Sequence, residues 1–133
     1  MRKIIFSTVI VCAISFLVSC SKSPQSKIIG KWEVDEVGNR KAQVSPIAPT
    51  GFEFRKNGIV YVDGVGNING REAKYEITEN KNPNYKKVAP YIFSLFIKAD
   101  GVSRKVDYRM GFSDKDSILI ALGFRISFFN RVK

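Results

Sequence analysis

From Ile28 to Lys133 the apolar residues fall at alternate positions in short runs, and turn-forming residues separate most of the runs. Trp32 and Val34 alternate with Lys31, Glu33 and Asp35; Phe52 and Phe54 with Glu53 and Arg55; Ala73, Tyr75 and Ile77 with Lys74 and Glu76. Further along, Val106, Tyr108, Met110 and Phe112 alternate with Lys105, Asp107 and Arg109. A period of two belongs to a strand with one face in water. Asn57-Gly58 and Asp100-Gly101 supply the positive φ angles of tight hairpins. Eight strands are predicted, near 29–37, 51–56, 59–63, 72–79, 91–98, 102–112, 117–122 and 124–132. Beyond Ser21 no stretch keeps a 3.6-residue apolar period. Hairpin-length links favour an antiparallel meander, and closing it removes exposed edges. The expected fold is all-β, a single antiparallel up-and-down barrel of about eight strands. At most one turn of helix is expected in Gly38–Thr50, where Pro46 and Pro49 suit a lid or corner across one end.

Alternation places Trp32, Phe52, Phe54, Tyr61, Tyr75, Phe93, Tyr108, Phe112 and Phe128 on inward faces. An eight-stranded barrel has room inside for its own side chains or for one small ligand. So many rings in so short a chain favour a mostly filled lumen, and Phe54, Tyr75 and Tyr108 are the candidate pocket residues if space remains. Ile92 and Phe96 oppose Phe93, Leu95 and Ile97, while Leu119 and Phe129 fall on faces that read as outer. Such a patch marks a partner surface, a dimer face or an area covered by Gly38–Thr50, and covering is the favoured reading.

The side-chain chemistry is narrow. No histidine is present, which removes the commonest general base and metal ligand. Asp114-Lys115-Asp116 has the composition of a turn between strands rather than of a metal site. Asp63-Gly64-Val65-Gly66-Asn67-Ile68-Asn69-Gly70 lacks the ligand spacing of an EF-hand and the Gly-Lys-Ser/Thr of a phosphate loop, and reads as a glycine-rich hairpin. No pair of carboxylates is singled out for acid–base work, so an enzyme is the least favoured class. No catalytic residue, metal or cofactor is expected.

The amino terminus has its own pattern. Arg2 and Lys3 precede an apolar run from Ile4 to Val18, and Leu17-Val18-Ser19-Cys20 follows. The run is too short for a spanning helix, which needs about 20 apolar residues. It resembles the lipobox of bacterial lipoproteins. The resemblance implies a signal peptide over residues 1–19, cleavage before Cys20 and acylation of that cysteine as a membrane anchor. Cys12 would leave with the signal, and the remaining cysteine, carrying lipid, would form no intrachain disulfide. Residues 20–27, with SKSPQSK after the cysteine, read as a flexible tether of at most roughly 25 Å. Residues 28–133 would be one domain. Ser21 after the cysteine, compared with enteric lipoproteins in which aspartate there retains the protein at the inner membrane, implies the outer membrane of the cell envelope.

Charge is uneven along the chain. Residues 20–80 hold 9 Lys/Arg and 8 Asp/Glu, whereas residues 81–133 hold 11 and 4. Lys86, Lys87, Lys98, Arg104, Lys105 and Arg109 form a basic set beside the apolar strands, with Lys98, Lys105 and Arg109 as the candidate surface. A solvated face is the ordinary account of such charges. On an anchored protein they would also meet anionic head groups within a Debye length, about 8 Å. Nucleic acid is not an expected partner for an exported chain.

Gly30-Lys31-Trp32 at the start of the first strand resembles the Gly-x-Trp signature of lipocalins and related calycin barrels. In that family the tryptophan closes one barrel end beneath an arginine from near the carboxy terminus. The resemblance implies that role for Trp32 with Arg131, with Arg125 as the second candidate. The match is best to small lipocalin-like domains of bacterial lipoproteins, over residues 28–133. The chain is shorter than typical lipocalins, and no helix is expected after its barrel. The expected function is that of a non-enzymatic envelope lipoprotein whose barrel binds a small apolar ligand or a partner. The alternative is an interaction module, such as an envelope inhibitor or immunity-type lipoprotein, acting through its basic carboxy-terminal half.

Overall fold

The alternating runs do form strands, and the hairpin-length links between most of them favour pairing with the sequence neighbour. A computed structural model describes residues 23–65, 71–99 and 101–133. Its strands are β1 (Gly30–Val34), β2 (Gly51–Phe54), β3 (Ile59–Asp63), β4 (Arg71–Glu79), β5 (Tyr91–Ala99), β6 (Val102–Asp114), β7 (Ser117–Leu122) and β8 (Arg125–Arg131). Each pairs antiparallel with the next, and β8 returns to β1 through Trp32↔Arg131, Glu33↔Asn130 and Val34↔Phe129. The result is a closed eight-stranded up-and-down barrel, compatible with a lipocalin-like fold.

Two helices depart from the expectation. Pro24–Ile28, in the segment read mostly as tether, forms α1, capped by the Ser23 hydroxyl accepting from the Ser26 amide. Ile28, its last residue, is fully buried, and burying that side chain is what holds the segment down. Glu36–Ala42 forms α2, where extended chain had been expected as far as residue 37. Asp35 ends β1 and caps this helix, its Oδ1 accepting from the Gly38 amide at 2.9 Å. Past Val34, β8 has no β1 neighbour, and the α2 segment supplies partners in its place. Asn39 accepts from the Phe128 amide at 2.8 Å, Asp35 N–H donates to the Phe128 carbonyl at 2.8 Å, and Ile126 N–H donates to the Ser45 carbonyl at 2.8 Å. A strand edge that would otherwise lie bare is thereby satisfied.

The core fills the lumen. Trp32, Phe52, Phe54, Phe93 and Phe129 are its largest fully buried side chains. Three aromatic residues, Tyr61, Phe128 and Phe129, lie on faces other than expected. Tyr61 points outward beside Asp63 while Val60 and Val62 go in, because a run apolar on both faces turns its one carboxylate to water. On β8, Phe129 and Ser127 face inward and Phe128 is only partly buried. Arg131 shares their parity, so a strand that sends Arg131 toward Trp32 must also send Phe129 into the core.

Candidate functional site

Strand direction sorts the connections to two ends. The amino-terminal segment, the β2–β3 turn, the β4–β5 connection, the β6–β7 turn and the carboxy terminus share one end, called here the tether end. The β1–β2, β3–β4, β5–β6 and β7–β8 connections share the other, the far end.

At the tether end α1 lies across the mouth. On one side Gln25 Nε2 donates to the Ile77 carbonyl of β4 at 2.7 Å. On the other, Arg131 of β8 donates through Nη1 to the Ile29 carbonyl and through Nη2 to that of Lys27, both at 2.7 Å. The same guanidinium reaches the Lys115 carbonyl at 3.2 Å and Asp116 Oδ1 at 3.2 Å. Its central carbon stands 4.4 Å from the Trp32 ring, and the indole N–H donates to the Ile28 carbonyl at 2.8 Å. Cation–π attraction, charge-assisted hydrogen bonds and burial of Ile28 thus act on one junction. Gly30 has φ +129°, and a Cβ there would lie 2.8 Å from Arg131 Nη1, so the glycine of Gly-x-Trp leaves space for the arginine. Arg125 stands at the opposite end of β8.

Phe54, Tyr75 and Tyr108 are all buried, and their rings meet neighbours across the lumen. Phe54 and Tyr75 have centroids 4.9 Å apart edge to face, Phe54 and Phe93 5.3 Å, and Phe93 stacks on Tyr108 at 5.4 Å. Phe52 and Phe129 continue the cluster at 5.3 Å. Burial raises the phenol pKa values of Tyr75 and Tyr108. Tyr75 donates its hydroxyl proton to the Arg55 carbonyl at 3.0 Å. Ile28 plugs the lumen at the tether end. Ile47, 4 % exposed, enters the core from the far-end β1–β2 connection and donates its amide to Ser127 Oγ at 2.8 Å.

The structure divides the basic set. Arg109 is engaged: it stacks on Tyr85 at 4.6 Å, donates to the Tyr85 hydroxyl at 2.9 Å and to the Gly123 carbonyl at 2.7 Å. It fastens the β4–β5 connection to the barrel wall, where the Val88 carbonyl sits over Gly111 so closely that a Cβ would collide with it. The outer wall at β6 is therefore covered by residues 83–90, whereas Gly38–Thr50 serves β8. Lys98 and Lys105 remain exposed on the β5–β6 hairpin. Lys74, Phe96 and Lys105 are cross-strand neighbours on one outward row. Phe96 is 37 % exposed, with Lys105 Nζ 5.9 Å from its ring and 3.8 Å from Asp107. A shallow cleft of about 450 Å³ runs here, lined by Phe96, Ile97, Lys98, Arg104 and Lys105.

Asp116 is held by Arg131 and Lys133, and Asp114 accepts from the Asp116 amide as in a turn. Among the described residues no three His, Cys, Asp or Glu side chains gather as a metal site. Cys20 and the signal segment lie outside the described residues, as do Gly66–Gly70 of the glycine-rich hairpin.

Several key residues carried little sequence signal. Asn39 is an unremarked polar residue until β8 is seen to lack a neighbour, and Tyr85 sits in a polar loop. Ile47, a lone apolar residue between Pro46 and Pro49, is the one that could have been found. Comparison of the chain with protein-family models, with curated proteins and with solved structures gave no match.

Proposed function

We propose that this chain is a non-enzymatic bacterial envelope lipoprotein of lipocalin-like type, acylated at Cys20 in the outer membrane, whose barrel presents an outer face to a protein partner. The observation that carries the partner reading is the aromatic cluster: rings in mutual contact occupy the space where a small apolar ligand would sit. Ile28 and Ile47 at the two ends add to it. The face that remains is the β4–β5–β6 wall, where Phe96 stands between Lys74 and Lys105, with Lys98 and Arg104 beside it. An aromatic anchor beside four cations, with Glu72 and Asp107 as acidic neighbours on the same wall, fits an acidic protein surface with an apolar recess. The anchor rests on the resemblance of Leu17-Val18-Ser19-Cys20 to a lipobox.

A photocrosslinking side chain at Phe96 in intact producing cells should capture one dominant partner, and Lys98→Glu with Lys105→Glu should abolish the adduct. Capture of no protein, together with stoichiometric lipid released from the purified barrel, would return the function to the lumen. Labelled palmitate should appear on the wild-type chain and be absent from Cys20→Ser.

A further inference from the structure

We propose that the tether end of the barrel is a docking surface for an anionic lipid bilayer. The inference rests on the lipid anchor at Cys20 proposed above for bringing the membrane close, and on the barrel's own charge for what happens there. Every connection at this end carries lysine. Lys27 lies on α1, Lys56 in the β2–β3 turn, Lys81, Lys86 and Lys87 in the β4–β5 connection, and Lys115 in the β6–β7 turn. All six are exposed, and no carboxylate among the described residues forms an ion pair with any of them. Asp116, the acidic residue of the β6–β7 turn, is engaged with Arg131 and Lys133. The far-end β1–β2 connection differs: its Arg40 and Lys41 are accompanied by Asp35 and Glu36.

The strap formed by α1 sets the distance. Because the chain is fastened to the barrel from Pro24 onward, only three peptide steps separate Cys20 from Ser23, a reach of at most roughly 11 Å. Allowing for lysine side-chain length, much of the rim can then come within one Debye length of the head groups, about 8 Å. Each lysine that reaches an anionic surface strengthens binding about fivefold, so a few suffice to set the orientation. A ring of separated lysines suits a diffuse sheet of negative charge. A protein interface would call for an aromatic anchor, and the exposed phenylalanines, Phe96 and Phe124, lie on the β4–β5–β6 wall and at the far-end β7–β8 turn.

The test uses the full chain, extracted from membranes and reconstituted into vesicles of neutral phosphatidylcholine or of the same lipid with about a third phosphatidylglycerol. Lysine acetylation rates are read by mass spectrometry. At Lys56, Lys81, Lys86, Lys87 and Lys115 the rates should be at least about threefold slower on the anionic vesicles. Lys41, Lys98 and Lys105 should be unchanged. Lys86→Glu, Lys87→Glu and Lys115→Glu together should keep the circular dichroism spectrum and abolish the shielding of Lys56 and Lys81. Equal rates on both vesicles, or shielding that survives the triple substitution, would overturn the proposal. So would shielding seen in native membranes but on neither vesicle, which would point to an acidic protein. Intact mass reports acylation separately. An unacylated chain with the same pattern on anionic vesicles keeps the docking surface and removes the anchor, whereas an acylated chain without it does the reverse.

Discussion

The two ends of the barrel are closed by different means. At the tether end Arg131 joins the carbonyls of Lys27, Ile29 and Lys115 and the carboxylate of Asp116, with Trp32 beneath it. At the far end closure depends on the apolar plug Ile47 and on neutral hydrogen bonds accepted by Asn39 and Ser127 from the Phe128 and Ile47 amides, while Phe124 projects into solvent. Charge-assisted bonds to a shared guanidinium are stronger singly, and they fail together when the guanidinium is lost. Neutral bonds spread over a loop fail one at a time. The tether end should therefore be the more cooperative of the two, and substitutions can measure the difference.

The largest effect is expected from Trp32→Ala, which empties a large core site and removes the donor to the Ile28 carbonyl. A loss of about 3 to 5 kcal/mol is expected in urea denaturation. Amide exchange at Lys27, whose N–H donates to the Ser23 carbonyl within α1, should accelerate in parallel. If Trp32→Ala cost no more than Ile47→Val, for which about 0.5 to 1.5 kcal/mol is ordinary, the tether end would have no special standing.

Arg131→Lys comes next. It keeps the charge and loses the planar fork that serves several acceptors at once, so about 1.5 to 3 kcal/mol should go, with α1 loosened. Retention of full stability by the lysine variant would mean that charge alone holds the strap.

The tether-end junction was half legible in the sequence. Strand alternation and turn residues suffice for eight strands and most of their pairing, because most links are of hairpin length. Gly30-Lys31-Trp32 pointed to a closing tryptophan and, through the family resemblance, to Arg131, although placing Phe128 inward set Arg131 on the opposite face. What the pattern did not disclose was cooperation at a distance: Gln25 with the Ile77 carbonyl, or Asn39 with the Phe128 backbone. These depend on where β1 stops, which is decided by three-dimensional closure and not by local periodicity. Tyr61, Phe128 and Phe129 were misplaced because their strands carry apolar residues on both faces, so alternation alone leaves the side undecided.

Asn39→Ala tests the far end. It leaves the Phe128 amide without its acceptor in a site 8 % exposed at Asn39, and about 1 to 2 kcal/mol should be lost. Exchange should rise at Phe128 and Ile126 while Lys27 is unaffected. Acceleration at both ends would mean that the two closures are coupled through the core.

Between the ends, the buried phenols set an alkaline limit. Burial raises the Tyr108 pKa above its ordinary 10.0, so the unfolded chain releases its proton first. Stability is then complete below about pH 10 and declines as pH climbs past it. Tyr108→Phe should leave neutral stability nearly unchanged and flatten that alkaline decline in a pH series of urea midpoints. An unaltered slope would shift the effect to Tyr75, raised by burial in the same cluster.

The smallest change in stability belongs to Phe124, fully exposed beside Gly123 in the β7–β8 turn. Phe124→Ser removes no buried contact, and its effect should stay within about 0.5 kcal/mol. An aromatic ring left in water at such a turn contributes nothing to folding that a polar residue would not, and it adds a sticky tip at the far end. If the protein partner reaches from the β4–β5–β6 wall to this turn, Phe124→Ser should weaken capture through Phe96 several-fold while the urea midpoint stands still. If capture is untouched, the partner's footprint ends on the β5–β6 hairpin, and the far end is only a lid over a filled barrel.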